Sequence, residues 1–377
     1  MNKPFKPAPS IDLDDLQTNL DQGWGFPANF YSDPDIYDFD MKHIYNKSWL
    51  LFAPVHQLSE PGDTVVGRAG DVPVVVVRGR DNVLRGFVNL CRHRGYTVAT
   101  ETGKCNTLTC RYHAWSYNLD GSLRGAPNTK QEPGFDKSEM SLLPIAVDTW
   151  GPAVFVNADP EATPFLAHHP KIADYTRSIG YETDPQFYLD NYDLVRTIDY
   201  DFQSNWKLWY DNNTECYHCP TIHSTSFGDA FETNIGAFTY EEFDNCMTFS
   251  FSPDARPAEP GKLKARSQRA FQFYPGSTIM RQDDLLLLHQ AIPTGPETSK
   301  KFMYCLLRKG SDTEMGKRWI DLWDQTFSED QGATQIQQAG LRSGRMPRAR
   351  YVTNQEEATM FVNRLTLSAY RKALTGD

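Results

Sequence analysis

The sequence predicts an α+β protein: a small antiparallel β domain, then a larger domain in which an antiparallel sheet is flanked by helices. Short β-type runs bounded by Gly, Asp or Asn begin at Gly62 and continue to about residue 157. Apolar strand-like runs resume after His223 in MTFSFSP, FQFYPGSTIM, DLLLLHQAIP and KFMYCLLRK. Around them lie stretches with the helical period, at 33–49, 205–223 and 319–330. The expected organisation is a lead-in helix region over 1–47 that packs on the body, a β domain over 48–157 and a second domain over 158–377.

In the lead-in, Ile36, Phe39, Met41 and Ile44 alternate with charges as one face of a helix. The β domain is read from TVVG, VPVVVVRG, VLRGFVNL, a hairpin turn at Asn118-Leu119-Asp120-Gly121, and PAVFV. Residues 158–200 carry mixed signals and read as a linker in which His168 and His169 occupy an exposed polar turn. The Asn205–His223 stretch reads as a helix kinked or stopped at Pro220, and the chain after 345 as a basic, polar tail with a final short helix.

Composition excludes several functions. No apolar run approaches the roughly 18 residues that cross a membrane, and the amino terminus lacks a secretory apolar core. Net charge is −10 with no basic cluster, which argues against nucleic acid as a partner. Seven scattered cysteines point to thiols or metal ligands in a reducing compartment, the cytoplasm, rather than to a disulfide framework.

Two constellations carry chemistry. Cys91-Arg92-His93 and Cys110-Arg111-Tyr112-His113 each supply one thiolate and one imidazole from a turn between strands. Two such loops suit the two ends of a Rieske [2Fe–2S] cluster, with two cysteines on one iron and two histidines on the other. A structural Cys2His2 zinc site is the rival, but its spacing usually keeps cysteines and histidines in separate halves. Cys105, between the loops, reads as a spectator.

The second constellation is NWKLWYDNNTECYHCPTIH, Asn205 to His223. Non-haem Fe(II) oxygenases hold iron with two histidines and one carboxylate, leaving positions free for dioxygen and substrate. His218 and His223 supply the histidines, and Glu215 lies three residues before His218, within its reach. For the carboxylate, Trp319, Trp323 and Phe327 form a buried helical stripe that Asp330 continues, whereas Asp324 and Glu329 point about 100° away. A carboxylate on an apolar face is costly unless it is paired or binds metal, which selects Asp330. His289 reads as a satisfied core histidine, with a pocket residue as the alternative, and Cys216 and Cys219 as packing beside the iron segment. Trp209, Tyr210, Tyr217 and Phe227 are either an aromatic cage for a methylammonium group or plain core.

NLCRHRGYTVATETGKCNTLTCRYHAWSYNLDG resembles the cluster segment of the Rieske non-haem iron oxygenases, and NWK with ECYHCPTIH resembles their mononuclear iron segment. Glu329-Asp330, Gln338 and Gly340-Leu341 match a third family pattern. Arg111 stands where many members have proline, and Ala114 where many have glycine; neither is a ligand position.

The resemblance implies a terminal oxygenase (alpha) subunit with a Rieske cluster on Cys91, His93, Cys110 and His113, and mononuclear Fe(II) on His218, His223 and Asp330. It implies a homotrimer in which Glu215 bridges His218 to His113 of a neighbour. It also implies a small substrate, hydroxylated or oxidatively demethylated with O2; the ECYHCP variant resembles members acting on betaines and carnitine, while related chains hydroxylate aromatic acids. No G-x-G-x-x-G fingerprint is present, so electrons are expected from a separate NAD(P)H reductase. The alternatives are a Rieske electron carrier without oxygenase chemistry and a zinc-stabilised binding protein.

Overall fold

The computed structural model describes residues 9–231, 233, 238–251, 262–264 and 268–376. The amino-terminal MNKPFKPA and the Ser252-Pro253 end of the MTFSFSP run lie outside them. The chain divides into two compact units, Tyr45–Asn191 and a second unit that joins the chain up to Ile44 with everything from Tyr192 onward.

The first unit is built on a seven-stranded antiparallel sheet, ordered Leu50–Pro54, Ala153–Asn157, Pro144–Trp150, Leu84–Val88, Val72–Arg78, Asp63–Ala69, Gly103–Lys104. Val74 to Val77 are fully buried in succession, so this strand is covered on both faces, as its continuous apolar run requires. A three-stranded sheet, Leu108–Thr109, Ser116–Tyr117 and Leu123–Gly125, forms around the Asn118–Gly121 hairpin. Val75, Phe87, Trp115, Tyr117 and Leu142 share one core with Cys91 and Cys110.

Residues 158–191 are not a linker. They form helices Phe165–His168, Pro170–Ser178 and Pro185–Asn191 within this unit. Phe165 stacks 4.2 Å from Phe155, and Tyr181 stacks 5.2 Å from Trp150. His169 is buried against Phe165 rather than exposed, because Phe165 is itself held against Phe155 of a strand that local sequence does not reveal.

The second unit carries a seven-stranded antiparallel sheet, ordered Tyr192–Phe202, Thr298–Arg308, Leu285–Gly295, Ser277–Gln282, Gln268–Phe273, Cys246–Phe251, Phe238–Phe243. FQFYPGSTIM is two strands meeting at Tyr274-Pro275-Gly276, where Gly276 takes a positive φ. The 30-residue helix Thr313–Arg342 starts at Asp312, whose carboxylate caps the Glu314 and Met315 N–H groups. Its buried face runs Trp319, Trp323, Phe327, Asp330, Thr334, Gln338, and Trp323 Nε1 donates to Gln282 Oε1 at 2.8 Å. Burying each such aromatic contributes about 1.5–3 kcal/mol.

The chain after 345 is structured. Arg348–Arg350 pairs antiparallel with Trp24–Pro27, and Glu357–Thr375 is a 19-residue helix whose Tyr370 is wholly buried. Tyr370 hydroxyl donates to Asp40 at 2.6 Å, as does Trp206 Nε1 at 3.1 Å. Asp40 also pairs with Lys207, both nearly without exposure. This buried ion pair ties the lead-in helix Pro34–His43 to the helix Trp206–Asn212 that precedes the site; removing one partner would strand the other charge.

Candidate metal centres

In the first unit, the two Cys/His loops form matching turns. Cys91 N–H donates to the Tyr96 carbonyl and Gly95 N–H to the Cys91 carbonyl; Cys110 N–H donates to Trp115 and Ala114 N–H to Cys110. Each turn closes on a residue with positive φ, Gly95 at 69° and Ala114 at 58°. Cys91 and Cys110 are free thiols on the buried side, while His93 and His113 are exposed with ring centroids 4.6 Å apart. His93 stacks on Trp115 at 5.0 Å, and Tyr117 hydroxyl lies 3.3 Å from Cys91 Sγ. Burial raises the Cys91 thiol, which a ligating iron would overcome by holding the thiolate. Cys105 turns away to Thr64, with Sγ and Oγ1 3.2 Å apart, as a spectator would.

In the second unit, the Asn205–His223 stretch departs from the expected kinked helix. The helix Trp206–Asn212 stops, residues 213–218 form turns, and a short helix Cys219–Ile222 begins with Pro220 in its first turn. A proline is tolerated there because the first-turn N–H has no helical partner. The break turns the chain back on itself and brings His218 and His223 together. It also sets the Cys216 and Cys219 Cα atoms 5.0 Å apart, and the structure joins these two in a disulfide; the expectation of thiols at this C-x-x-C does not hold.

His218 Nε2, His223 Nε2 and Asp330 Oδ1 converge. The two nitrogens are 3.1 Å apart, and Asp330 Oδ1 lies 3.4 Å from the first and 3.0 Å from the second. Edges near 3 Å are what ligands about 2.1 Å from one ion subtend at right angles. Among the described residues this is the one group of three His, Cys, Asp or Glu side chains with metal-binding spacing.

The proton inventory makes the case independently. His218 Nδ1 is hydrogen-bonded to Glu215, and His223 Nδ1 lies 2.8 Å from Glu329 Oε2. An ionised carboxylate only accepts, so both Nδ1 atoms carry hydrogen, and in the neutral imidazoles both Nε2 atoms present lone pairs. Two lone pairs and a buried carboxylate oxygen without a well-formed hydrogen bond therefore face one point, and a cation there satisfies all three. Without one, protons substitute. Burial pulls the His218 imidazole down, but Asp330 and Glu215 outweigh it and push its pKa up to about 10. Burial likewise raises Asp330, yet His218 and His223 hold it well below the usual carboxylate range.

Glu215 also accepts from the N–H groups of Tyr217 and His218, so the turn itself fixes the carboxylate. Asp324, off the buried stripe, pairs instead with Arg196 and accepts from Tyr200 at 2.7 Å.

The three converging groups line one cavity with Phe227, Phe238, Phe249, Phe251, Trp323, Phe327, Met280, Gln268 and His289. The expected cage is not assembled: Trp209 and Tyr210 are core, Tyr217 is 54% exposed, and of the four only Phe227 lines the cavity. The aromatic wall comes from strands and from the Thr313–Arg342 helix, elements far apart in sequence. His289 is not a satisfied core residue, since its buried Nδ1 has no partner and its ring lines the cavity. Burial, with help from Lys301, holds it well below its ordinary pKa.

Each constellation lies within a segment that matches a known family. The family described as Ring hydroxylating alpha subunit (catalytic domain) matches residues 189–369, and the Rieske [2Fe-2S] domain matches 48–149. The carnitine monooxygenase oxygenase subunit of Acinetobacter pittii is 33% identical over 222 residues, 59% of this chain and 58% of that one, so the match spans under two thirds of that relative's length. The glycine betaine monooxygenase oxygenase subunit of Chromohalobacter salexigens is 34% identical over 363 residues, covering 84% and 79%. The quaternary ammonium Rieske monooxygenase CntA in complex with L-carnitine superposes with a TM-score of 0.81 at 26% identity, covering 96% and 99%. Naphthalene 1,2-dioxygenase from Rhodococcus sp., at 18% identity and a TM-score of 0.76 over 95% and 98%, shares the fold.

Proposed function

We propose, for a chain that belongs to the Rieske non-haem iron oxygenases, that it is a terminal oxygenase component acting on a small quaternary ammonium compound. The observation that carries this reading is the convergence of His218 Nε2, His223 Nε2 and Asp330 Oδ1 on one side of an aromatic-walled cavity. A Rieske cluster and a mononuclear non-haem iron are the family's cofactors. Here Cys91, His93, Cys110 and His113 would hold the cluster, and His218, His223 and Asp330 the iron. Together they would supply one-electron transfer and dioxygen activation, the reductase's two electrons and two protons from solvent accounting for the oxygen atom that leaves as water.

The rest falls to the chain's own side chains. Glu215 fixes the His218 tautomer, and the cavity's rings exclude water and offer π faces to a methylammonium group. Relatives named for carnitine, glycine betaine and choline support that substrate class. Electrons would come from a separate NAD(P)H-dependent reductase. In a homotrimer Glu215 would also accept from His113 of a neighbouring copy, using the one lone pair its three intrachain bonds leave free. No helix among the described residues is long and apolar enough to cross a membrane; we place the protein in the cytoplasm.

The test is oxygen uptake with a surrogate reductase, comparing L-carnitine, glycine betaine and choline with aromatic acids. Uptake matched by product from a quaternary ammonium compound is expected. Turnover of aromatic acids alone would overturn the substrate class, and a cluster that reduces normally yet never couples to any substrate would favour the electron carrier. Mixing Glu215→Gln with Cys91→Ala chains tests the trimer: activity returns in hybrids if transfer crosses subunits, and does not if it stays within one chain.

A further inference from the structure

We propose that Glu329 is a positioning residue for the mononuclear iron site, holding the ring of His223 so that Nε2 faces the metal. This rests on the reading that His218, His223 and Asp330 bind iron. Glu329 precedes Asp330 on the Thr313–Arg342 helix, and successive helical residues point about 100° apart. Asp330 therefore enters the site directly, while Glu329 passes its edge and meets the far side of the His223 ring, with Oε2 2.8 Å from Nδ1.

The carboxylate is itself held. Ser226 Oγ donates to Oε2 at 2.5 Å, and Gln325 Nε2, one turn earlier on the same helix, donates to Oε1 at 2.9 Å. One helix thus supplies a ligand oxygen and sets the tautomer of a ligand nitrogen. His223 is 2% exposed, so an unpaired Nδ1–H would be left without water to satisfy it. The other tautomer would put hydrogen on Nε2, in the metal's place. Glu329 makes the productive tautomer the stable one, as Glu215 does for His218.

The experiment follows ferrous iron leaving the full-length, cluster-bearing protein to a coloured Fe(II) chelator under anaerobic conditions. The wild type is compared with Glu329→Gln, Ser226→Ala and His223→Ala, and the iron-depleted proteins are then titrated with Co2+ by its visible ligand-field bands. Glu329→Gln, which keeps the shape and removes the charge, is expected to bind about 10- to 100-fold more weakly and to shift the Co2+ bands. Its thermal midpoint and cluster spectrum should stay as in the wild type. Ser226→Ala should lie within a few-fold of wild type. Wild-type affinity and bands in Glu329→Gln, alongside iron loss in His223→Ala, would overturn the positioning role alone. Wild-type iron in His223→Ala would overturn the iron-site reading beneath it. Should Glu329→Gln not fold, the Ser226→Ala/Gln325→Leu pair leaves the carboxylate present but unheld. Iron loss at least about threefold faster in that pair supports the role, and a wild-type rate overturns it.

Discussion

Asp211 closes the helix that leads into the iron turn, and replacing it with Asn should remove one component of the protein's pH dependence. Its carboxylate accepts from Tyr31 and Tyr351 hydroxyls, each at 3.3 Å, and from Asn363 Nδ2 at 3.0 Å. Burial raises its pKa from 3.8 to about 7, against the lowering effect of those three donors and of Lys207. From about pH 4 to 7 the folded protein therefore holds a proton that the unfolded chain has released, and stability falls as pH rises across that window. That rise in pKa corresponds to roughly 4 kcal/mol, at about 1.36 kcal/mol per tenfold change in proton affinity. The residue keeps intermediate exposure, so solvent screens part of this, and about 2 kcal/mol is the expected size. At about 2–4 °C per kcal/mol for a unit of this size, that is roughly 4–8 °C. The assay is the thermal midpoint of wild type and Asp211→Asn between pH 4 and pH 8 at one scan rate. The variant's midpoint should climb relative to wild type by that amount as pH rises, whatever constant offset the amide introduces. A difference between the two that stays flat across the range would show that Asp211 does not titrate in this window.

Ala114 holds a positive φ of 58° at the close of the second cluster loop, so Ala114→Gly should stabilise the loop by about 0.5–1 kcal/mol, read as a higher midpoint for thermal bleaching of the visible spectrum. Gln338 is fully buried, accepts from Asn205 N–H at 2.9 Å and donates to the Tyr31 carbonyl at 3.1 Å. Gln338→Leu strands both groups and should cost about 2–4 kcal/mol in chemical unfolding. Phe227→Leu removes one cavity ring, and a cation–π contribution of about 1 kcal/mol predicts a KM for the quaternary ammonium substrate roughly fivefold higher with kcat little changed.

What could be read from the sequence was what local spacing encodes. The paired Cys/His loops, the His218/His223 pair and the Trp319–Trp323–Phe327–Asp330 stripe each lie within one short segment, and the structure places each stripe residue on the buried face. The same stripe argument set Glu329 aside because it leaves the apolar face. That is correct for a ligand, but helical periodicity does not show what stands at the stripe's edge, and only the fold brings His223 there. The aromatic wall escaped for a related reason. Phe238, Phe249 and Phe251 come from neighbouring strands, and alternation says which residues share a face without saying what that face covers. Pro220 was informative about a break but not about its side, since a proline ends one helix and opens another with equal ease. The Glu357–Thr375 helix was misjudged because its partners, Asp40 among them, lie far away in sequence, and His169 because the Phe165 ring beside it is itself held by Phe155 of a strand.

One chain is expected to carry a Rieske cluster and a separate iron held by His218, His223 and Asp330. Iron and acid-labile sulfide, counted per chain in anaerobically purified wild type and Asp330→Ala, test it most directly. The wild type should hold the iron and sulfide of a [2Fe–2S] cluster plus one further iron. Asp330→Ala should lose that one iron and all turnover while its red-brown spectrum and sulfide remain. A colourless zinc protein, or an Asp330→Ala variant that keeps its full iron and its activity, would contradict it.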